Sequence, residues 1–365
     1  MVEEYILNEY QIKTFLTDGV LVVENVLTKE ELERSLQGLS ETLSRRGVAT
    51  DDFNEVSGRA LGNLSSTNGS GGVLDIFYED WKIDISSNTR LFSITQQLWK
   101  AAYCHQGEAK ENLVDSDRFQ WHPYGAFDCD KGYMYIDRIG YRLPTEVSEK
   151  IGGTVNSHKK KKARALQRSL TPHLDCCPNA LYQNAAKWRP IQCFVSLTDN
   201  LEPNTGGFEA ARGLHRTFDE WTRTRAPATV VQKEGSSNEE ISIPAPCVGE
   251  YTHMRPKEDR EIMDRVCHVP VSAGSCVLWD NRIPHANAYR HYGDVPRAVV
   301  YCSFLPDVQL NREYVNNQLA NWKARRPPAD TWIHVEDESA GDRMESMKKY
   351  TFTNLGRKLI GLDPW

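Results

Sequence analysis

Two kinds of hydrophobic spacing divide the chain. Asn8 to Leu16 has helical spacing and its own start signal: Asn8 at the N-cap, Gln11 three residues on, Leu7 and Ile12 as a hydrophobic staple, and Gly19 as a stop. Val20-Leu21-Val22-Val23 reads as a buried strand. Thr28 and Glu31 then form a capping box for a second helix, whose Leu32, Leu36, Leu39 and Leu43 share one face. Residues 45–70 turn to Gly, Ser, Asn and Asp, the composition of a loop, either mobile or laid over a cleft. Helical spacing returns from Trp81 to Ala102, with Leu91, Ile94, Leu98 and Trp99 inward.

From Met134 onward the period shortens to two. Strands are expected over Met134–Leu143, Trp188–Asp199, Gly206–Ala211, Cys267–Val271, Cys276–Asp280 and Arg297–Phe304, separated by Gly and Pro turns. Thr222 to Val266 is a long polar excursion with few core signals, the profile of a lid or a disordered segment. Helix is expected again over Asn311–Lys323 and over Arg343–Tyr350, the latter with Asp342 and Glu345 as its start signal. Many short strands without βαβ alternation predict a mainly β fold with flanking helices, a jelly roll. The expected layout is one domain, 1–365: helical support over 1–130, a jelly-roll core over 131–308 with an insert at 222–266, and a helical extension over 309–365.

Composition narrows the partners. The 365 residues, 39% hydrophobic, suffice for a substantial core, and a formal net charge of -6 gives no electrostatic reason to bind nucleic acid or an anionic membrane non-specifically. A local patch could still do so. The basic run 158–168 is either a solvated loop or a guide for an anionic substrate, and the sequence leaves both open. No apolar run is long enough to cross a membrane, and the first residues lack the pattern of a secretory signal. Nine cysteines without a CxxC pair indicate neither a zinc knuckle nor a disulfide framework. The expected location is a reducing compartment, the cytoplasm, with the nucleus left open.

The chemistry concentrates in Thr171-Pro172-His173-Leu174-Asp175 and, much later, Ile283-Pro284-His285. A His and an Asp separated by one residue of extended chain point to the same side, because strand side chains alternate. A distant His completes a two-His, one-carboxylate set with open coordination positions, the arrangement of non-haem Fe(II) oxygenases. Twelve positions after His285, Arg297 heads a β-branched and aromatic strand. A guanidinium entering from a buried face needs an anion, and an acidic co-substrate beside the metal would supply one. Each residue also has a plainer reading: His285 as a hydrogen-bonded core residue, Arg297 as a salt-bridge partner, His215 and His291 as structural, and Trp81, Trp99, Trp188 and Trp279 as core or pocket wall.

Several separated blocks resemble the phytanoyl-CoA dioxygenase family of Fe(II)- and 2-oxoglutarate-dependent oxygenases. They are Leu7–Gln11 with Asp18–Thr28, Pro172–Asp175, Asn204–Arg216, and Gly274–Asp280 through His285 to Arg297. The chain departs from that family at Leu214, where Ser is usual, and at Asn287, where a hydroxyl is common. The resemblance implies a double-stranded β-helix of the cupin-like kind. It implies iron held by His173, Asp175 and His285, and the far carboxylate of 2-oxoglutarate held by Arg297, with Asn287, Gln192 and Phe194 as further co-substrate contacts. O2 would be the oxidant, succinate and CO2 the by-products, and a C–H bond of a small, conceivably anionic, molecule the site hydroxylated. Halogenating relatives replace the metal carboxylate, whereas Asp175 is present. An oxygenase acting on protein or nucleic acid, or a metal-binding jelly roll without turnover, are the alternatives.

Overall fold

The computed structural model describes residues 5–103, 122–155, 165–178, 181–182, 185–225, 228–234, 237–243, 251–328 and 350–365. The two local start signals produce the first two helices. Helix α1 (Glu9–Asp18) begins at a reciprocal Asn8–Gln11 capping box and ends at Gly19, whose φ of 68° is a left-handed conformation that a side chain would resist. Helix α2 (Lys29–Arg45) begins at the Thr28–Glu31 box. Its Leu39 and Leu43 are buried, whereas Leu36 is 36% exposed, so the inward face is narrower than the leucine spacing predicts.

Two expectations fail here for local reasons. The Gly- and Ser-rich stretch contains helix α3 (Glu55–Asn63), because the Asn54 side chain accepts from the backbone N–H groups of Val56 and Ser57. The long helix after Trp81 is two helices, α4 (Asp80–Ser86) and α5 (Thr89–Ala102), and Asn88 between them caps the second. The four residues expected to point inward from α5 are all fully buried.

The strands form two antiparallel sheets. Strands β1 (Val20–Val23), β2 (Val73–Leu74), β3 (Gly132–Arg142), β5 (Ile191–Ser196), β11 (Cys276–Asp280) and β13 (Arg297–Pro306) form the first, in the order β1-β11-β5-β13-β3-β2. The second has the order β10-β6-β12-β4-β9, built from β4 (Leu170–Leu174), β6 (Phe208–Ala211), β9 (Thr252–His253), β10 (Val266–His268) and β12 (His285–Asn287). Phe194, Val277, Trp279 and Val299 of the first sheet share one apolar cluster with Phe208 and Ala210 of the second. The helices before β3, with the ends of the chain, pack on the other side of the larger sheet, where Phe15, Leu98 and Trp99 join Val195, Val300 and Phe304. Both faces of β5 and β11 are therefore covered, which explains why these strands read as continuous apolar runs.

The polar excursion is structured in part: β7 (Ala228–Glu234) and β8 (Ser237–Ile243) make a hairpin, and β9 pairs with β4. A helix covers Gln309–Lys323 as expected, whereas residues 343–349 and the basic stretch 158–164 lie outside the described residues. Cys193, Cys276 and Cys302 are small buried core residues. Cys129 and Cys177, however, are disulfide-bonded, which corrects the expectation of no disulfide framework and removes the cysteine argument for a reducing compartment. Among the described residues no helix is long and apolar enough to cross a membrane.

Candidate functional site

The pairing of β12 with β4 sets His285 directly opposite His173, with ring centroids 4.4 Å apart. Asp175 follows the last residue of β4, and its two carboxylate oxygens each lie 3.6 Å from an imidazole Nε2, Oδ1 from that of His173 and Oδ2 from that of His285. One ligand atom from each of the three lies within 4.8 Å of the others, and this is the one group of metal-ligating side chains so placed among the described residues.

The same local device prepares both imidazoles. His173 Nδ1 is 2.8 Å from the Thr171 carbonyl and His285 Nδ1 is 3.0 Å from the Ile283 carbonyl, each two residues back. A ring nitrogen facing a carbonyl carries the proton, so both Nε2 lone pairs are left for an ion. Burial, then the neighbouring His285, pushes His173 down to about 4, which keeps it neutral at physiological pH. Burial alone would raise Asp175, but hydrogen bonding to His285 and the nearby imidazole of His173 and guanidinium of Arg189 hold it well below the usual carboxylate range. Two imidazoles oriented by backbone carbonyls, together with one carboxylate, are a donor set suited to a divalent cation.

His285 is delivered by a buried turn. Both Asp280 and Arg282 are almost fully buried, with Arg282 Nη2 2.8 Å from Asp280 Oδ2, and the Asp280 carboxylate also accepts from the Arg282 backbone and from the Tyr103 hydroxyl. The Ile283 N–H donates to the Asp280 carbonyl at 2.9 Å, and the Pro284 carbonyl accepts from Ala211 of β6. His215, buried and 3.1 Å from the Leu16 carbonyl through Nε2, serves the packing of α1 and takes no part in the triad.

A cavity of about 720 Å³ opens on the triad, walled by Trp188, Phe208, Tyr251 and Trp279 and edged by Arg138 and Arg189. Tyr251 stacks on His173 with centroids 4.7 Å apart. Sequence reasoning missed Tyr251 because it stands in the polar excursion, and the signal that could have found it is its place just before β9, a strand whose His253 pairs with His173.

Gln192 and Asn287 line the cavity, and neither Gln192 Nε2 nor Asn287 Nδ2 has a hydrogen-bond partner among the described residues. Gly71, in the left-handed region with φ of 64°, leaves room for that amide, since a Cβ there would stand 2.9 Å from Asn287 Nδ2. Arg297, the first residue of β13, is 2% exposed, and both its Nη atoms are buried without an acceptor among the described residues. Its guanidinium stands 5.2 Å from the ring centre of Phe194, which is buried behind the cavity against Phe208, Trp279 and Tyr301. Burial pushes the guanidinium down from its ordinary value, against the opposing pull of the Tyr301 hydroxyl. An anion of the size of a carboxylate would satisfy it.

The family model that matches is Gig2-like, over residues 185–359. This overturns the resemblance to the phytanoyl-CoA dioxygenase family. Two of the four blocks that carried the resemblance, Pro172–Asp175 and Gly274–Arg297, hold the three clustered side chains and the arginine, and such a constellation can stand on more than one scaffold. No curated protein matches the chain. Among solved structures it is similar to GlcNAc Inducible Gene 2 of Candida albicans, at 15% identity and a TM-score of 0.63, covering 98% of this chain and 81% of that one. It is also similar to the hypothetical protein JW0805 of Escherichia coli, at 13% identity and a TM-score of 0.65, covering 97% and 82% respectively. At these identities the likeness is one of fold.

Proposed function

We propose that this protein is an Fe(II)- and 2-oxoglutarate-dependent oxygenase, built as a double-stranded β-helix, that hydroxylates a C–H bond of a small molecule. The observation that carries the reading is the pairing of an open His173–Asp175–His285 set with a buried guanidinium, Arg297, that lacks an anion. Iron held there would supply the oxygen chemistry: one atom of O2 enters the substrate as hydroxyl and the other enters succinate as 2-oxoglutarate loses CO2.

The chain's own residues do the rest. The carbonyls of Thr171 and Ile283 fix both imidazoles with Nε2 toward the ion, and Asp175 supplies its negative charge. Arg297 neutralises the far carboxylate of the co-substrate, and the amides of Gln192 and Asn287 give it hydrogen bonds along its length. Trp188, Phe208, Tyr251 and Trp279 keep water from the open side, and a cavity of about 720 Å³ suits a small molecule. The test is succinate formation from 2-oxoglutarate in air with Fe(II), expected from the wild type and abolished in His173→Ala. Absence of succinate, with no visible charge-transfer absorption from the anaerobic Fe(II) and 2-oxoglutarate mixture, contradicts the proposal.

A further inference from the structure

Arg297 is not alone. In the register of β13 against β3 its Cα partner is Arg142, the last residue of β3, which is 4% exposed. Arg142 Nη2 donates to the Tyr289 carbonyl at 2.9 Å, but its Nη1 is buried without an acceptor among the described residues. Burial and then the charge of Arg297 push Arg142 down to about 10, so both guanidiniums stay charged at physiological pH while repelling each other. Placing two cations together in a dry interior is costly unless something negative joins them.

A third donor stands with them. His291 is 3% exposed, and its Nδ1 accepts from the Gly293 N–H at 3.2 Å. The ring is neutral at physiological pH, since burial and then the charge of Arg142 push it down to about 4 against the pull of the Val295 backbone; with Nδ1 accepting, its proton sits on Nε2, which is buried with no acceptor within hydrogen-bond distance among the described residues. Gly206 packs against both groups: a Cβ there would stand 3.0 Å from the His291 ring and 3.3 Å from Arg142 Cδ. Among the described residues, the carboxylate whose charge reaches Arg142, half-buried Glu209, forms no ion pair with either guanidinium. Among the described residues, four N–H-bearing nitrogens, two on Arg297 and one each on Arg142 and His291, therefore lack acceptors in one region.

We infer that Arg142 and His291 form, with Arg297, a two-guanidinium clamp on the distal carboxylate of the co-substrate, so that a keto acid carrying a distal negative charge binds more tightly than one without it. This rests on the oxygenase reading and extends it. One guanidinium can hold a carboxylate by a bidentate pair; the second, held off by the Tyr289 carbonyl, closes on the remaining lone pairs. A keto acid without the distal carboxylate would leave both cations uncompensated.

The test is calorimetric titration of the full chain, loaded with Mn(II) under argon, with 2-oxoglutarate and with 2-oxobutyrate, which keeps the chelating end but lacks the distal carboxylate. Arg142→Gln is expected to weaken 2-oxoglutarate by about tenfold or more, the worth of one charged hydrogen bond, and to leave 2-oxobutyrate unchanged. Arg142→Lys, which keeps the charge, should recover part of the loss, and an unchanged Mn(II) stoichiometry would show that the site is intact. Unaltered 2-oxoglutarate affinity in Arg142→Gln, or equal weakening of both keto acids, overturns the clamp while leaving the oxygenase reading standing. A wild type that takes up Mn(II) but neither keto acid overturns that reading and the clamp with it.

Discussion

Lys82 offers a prediction whose size can be worked from the structure. It lies on α4, fully buried, with no hydrogen-bond partner for its Nζ among the described residues. Burial lowers it from 10.5 to about 8, against the opposing pull of Asp137 and Cys302. Below pH 8 the folded and unfolded chains both carry the proton, and the fold bears the full cost of the buried charge. Between about 8 and 10.5 the unfolded chain holds more protons, so stability rises with pH through that window. At about 1.4 kcal/mol per unit, the depression corresponds to about 3 kcal/mol.

Lys82→Met keeps the length of the side chain and removes the charge. Asp137 retains its bonds to the Arg138 backbone N–H and to Arg189, so the exchange does not strand it. The variant should be more stable than wild type at pH 7 by about 1–3 kcal/mol, the upper end being the full penalty. The gain should vanish as pH approaches 10.5. Urea denaturation of both proteins at a series of pH values reads this directly, with unchanged m-values as the control. Destabilisation at pH 7, or a gain that does not depend on pH, would refute the reasoning.

Two further substitutions test the scaffolding of the site. Arg282→Met leaves the Asp280 carboxylate buried without its guanidinium and should cost about 3–5 kcal/mol in chemical denaturation, with weaker metal binding because the turn carrying His285 loosens; a loss near zero would show that the turn holds without the pair. Arg297→Leu should raise the dissociation constant for 2-oxoglutarate by about tenfold or more while leaving metal affinity unchanged, as read by titration of the metal-loaded protein, and equal loss of both would mean its role is structural.

What could be read in the sequence was what is encoded locally. The capping boxes at Asn8 and Thr28 lie within four residues of the helices they start, and the alternation that turns His173 and Asp175 to one side lies within one strand and its end. The distant His285 was singled out because a two-His, one-carboxylate set needs a third member, and the β4–β12 register is what brings it beside His173 and Asp175. Arg142, Lys82 and Tyr251 were not legible: Arg142 and Tyr251 matter through neighbours far along the chain, Arg297 and His173 respectively, and Lys82 through burial that only the packed fold creates. The helix over Glu55–Asn63 was hidden by a Gly- and Ser-rich composition, though Asn54 marked its start. Disulfide bonding of Cys129 and Cys177 left no trace in cysteine spacing.

His173 and Asp175 share one segment, and His285, far along the chain, completes with them the proposed seat for one ion. Titration with Co(II) at pH 7, followed by its visible d–d absorption and by elemental analysis after desalting, tests it most directly. One bound ion per chain is expected in the wild type and none in the His173→Ala, His285→Ala double variant. A wild type that retains no ion, or a double variant that retains one with the same spectrum, would contradict it.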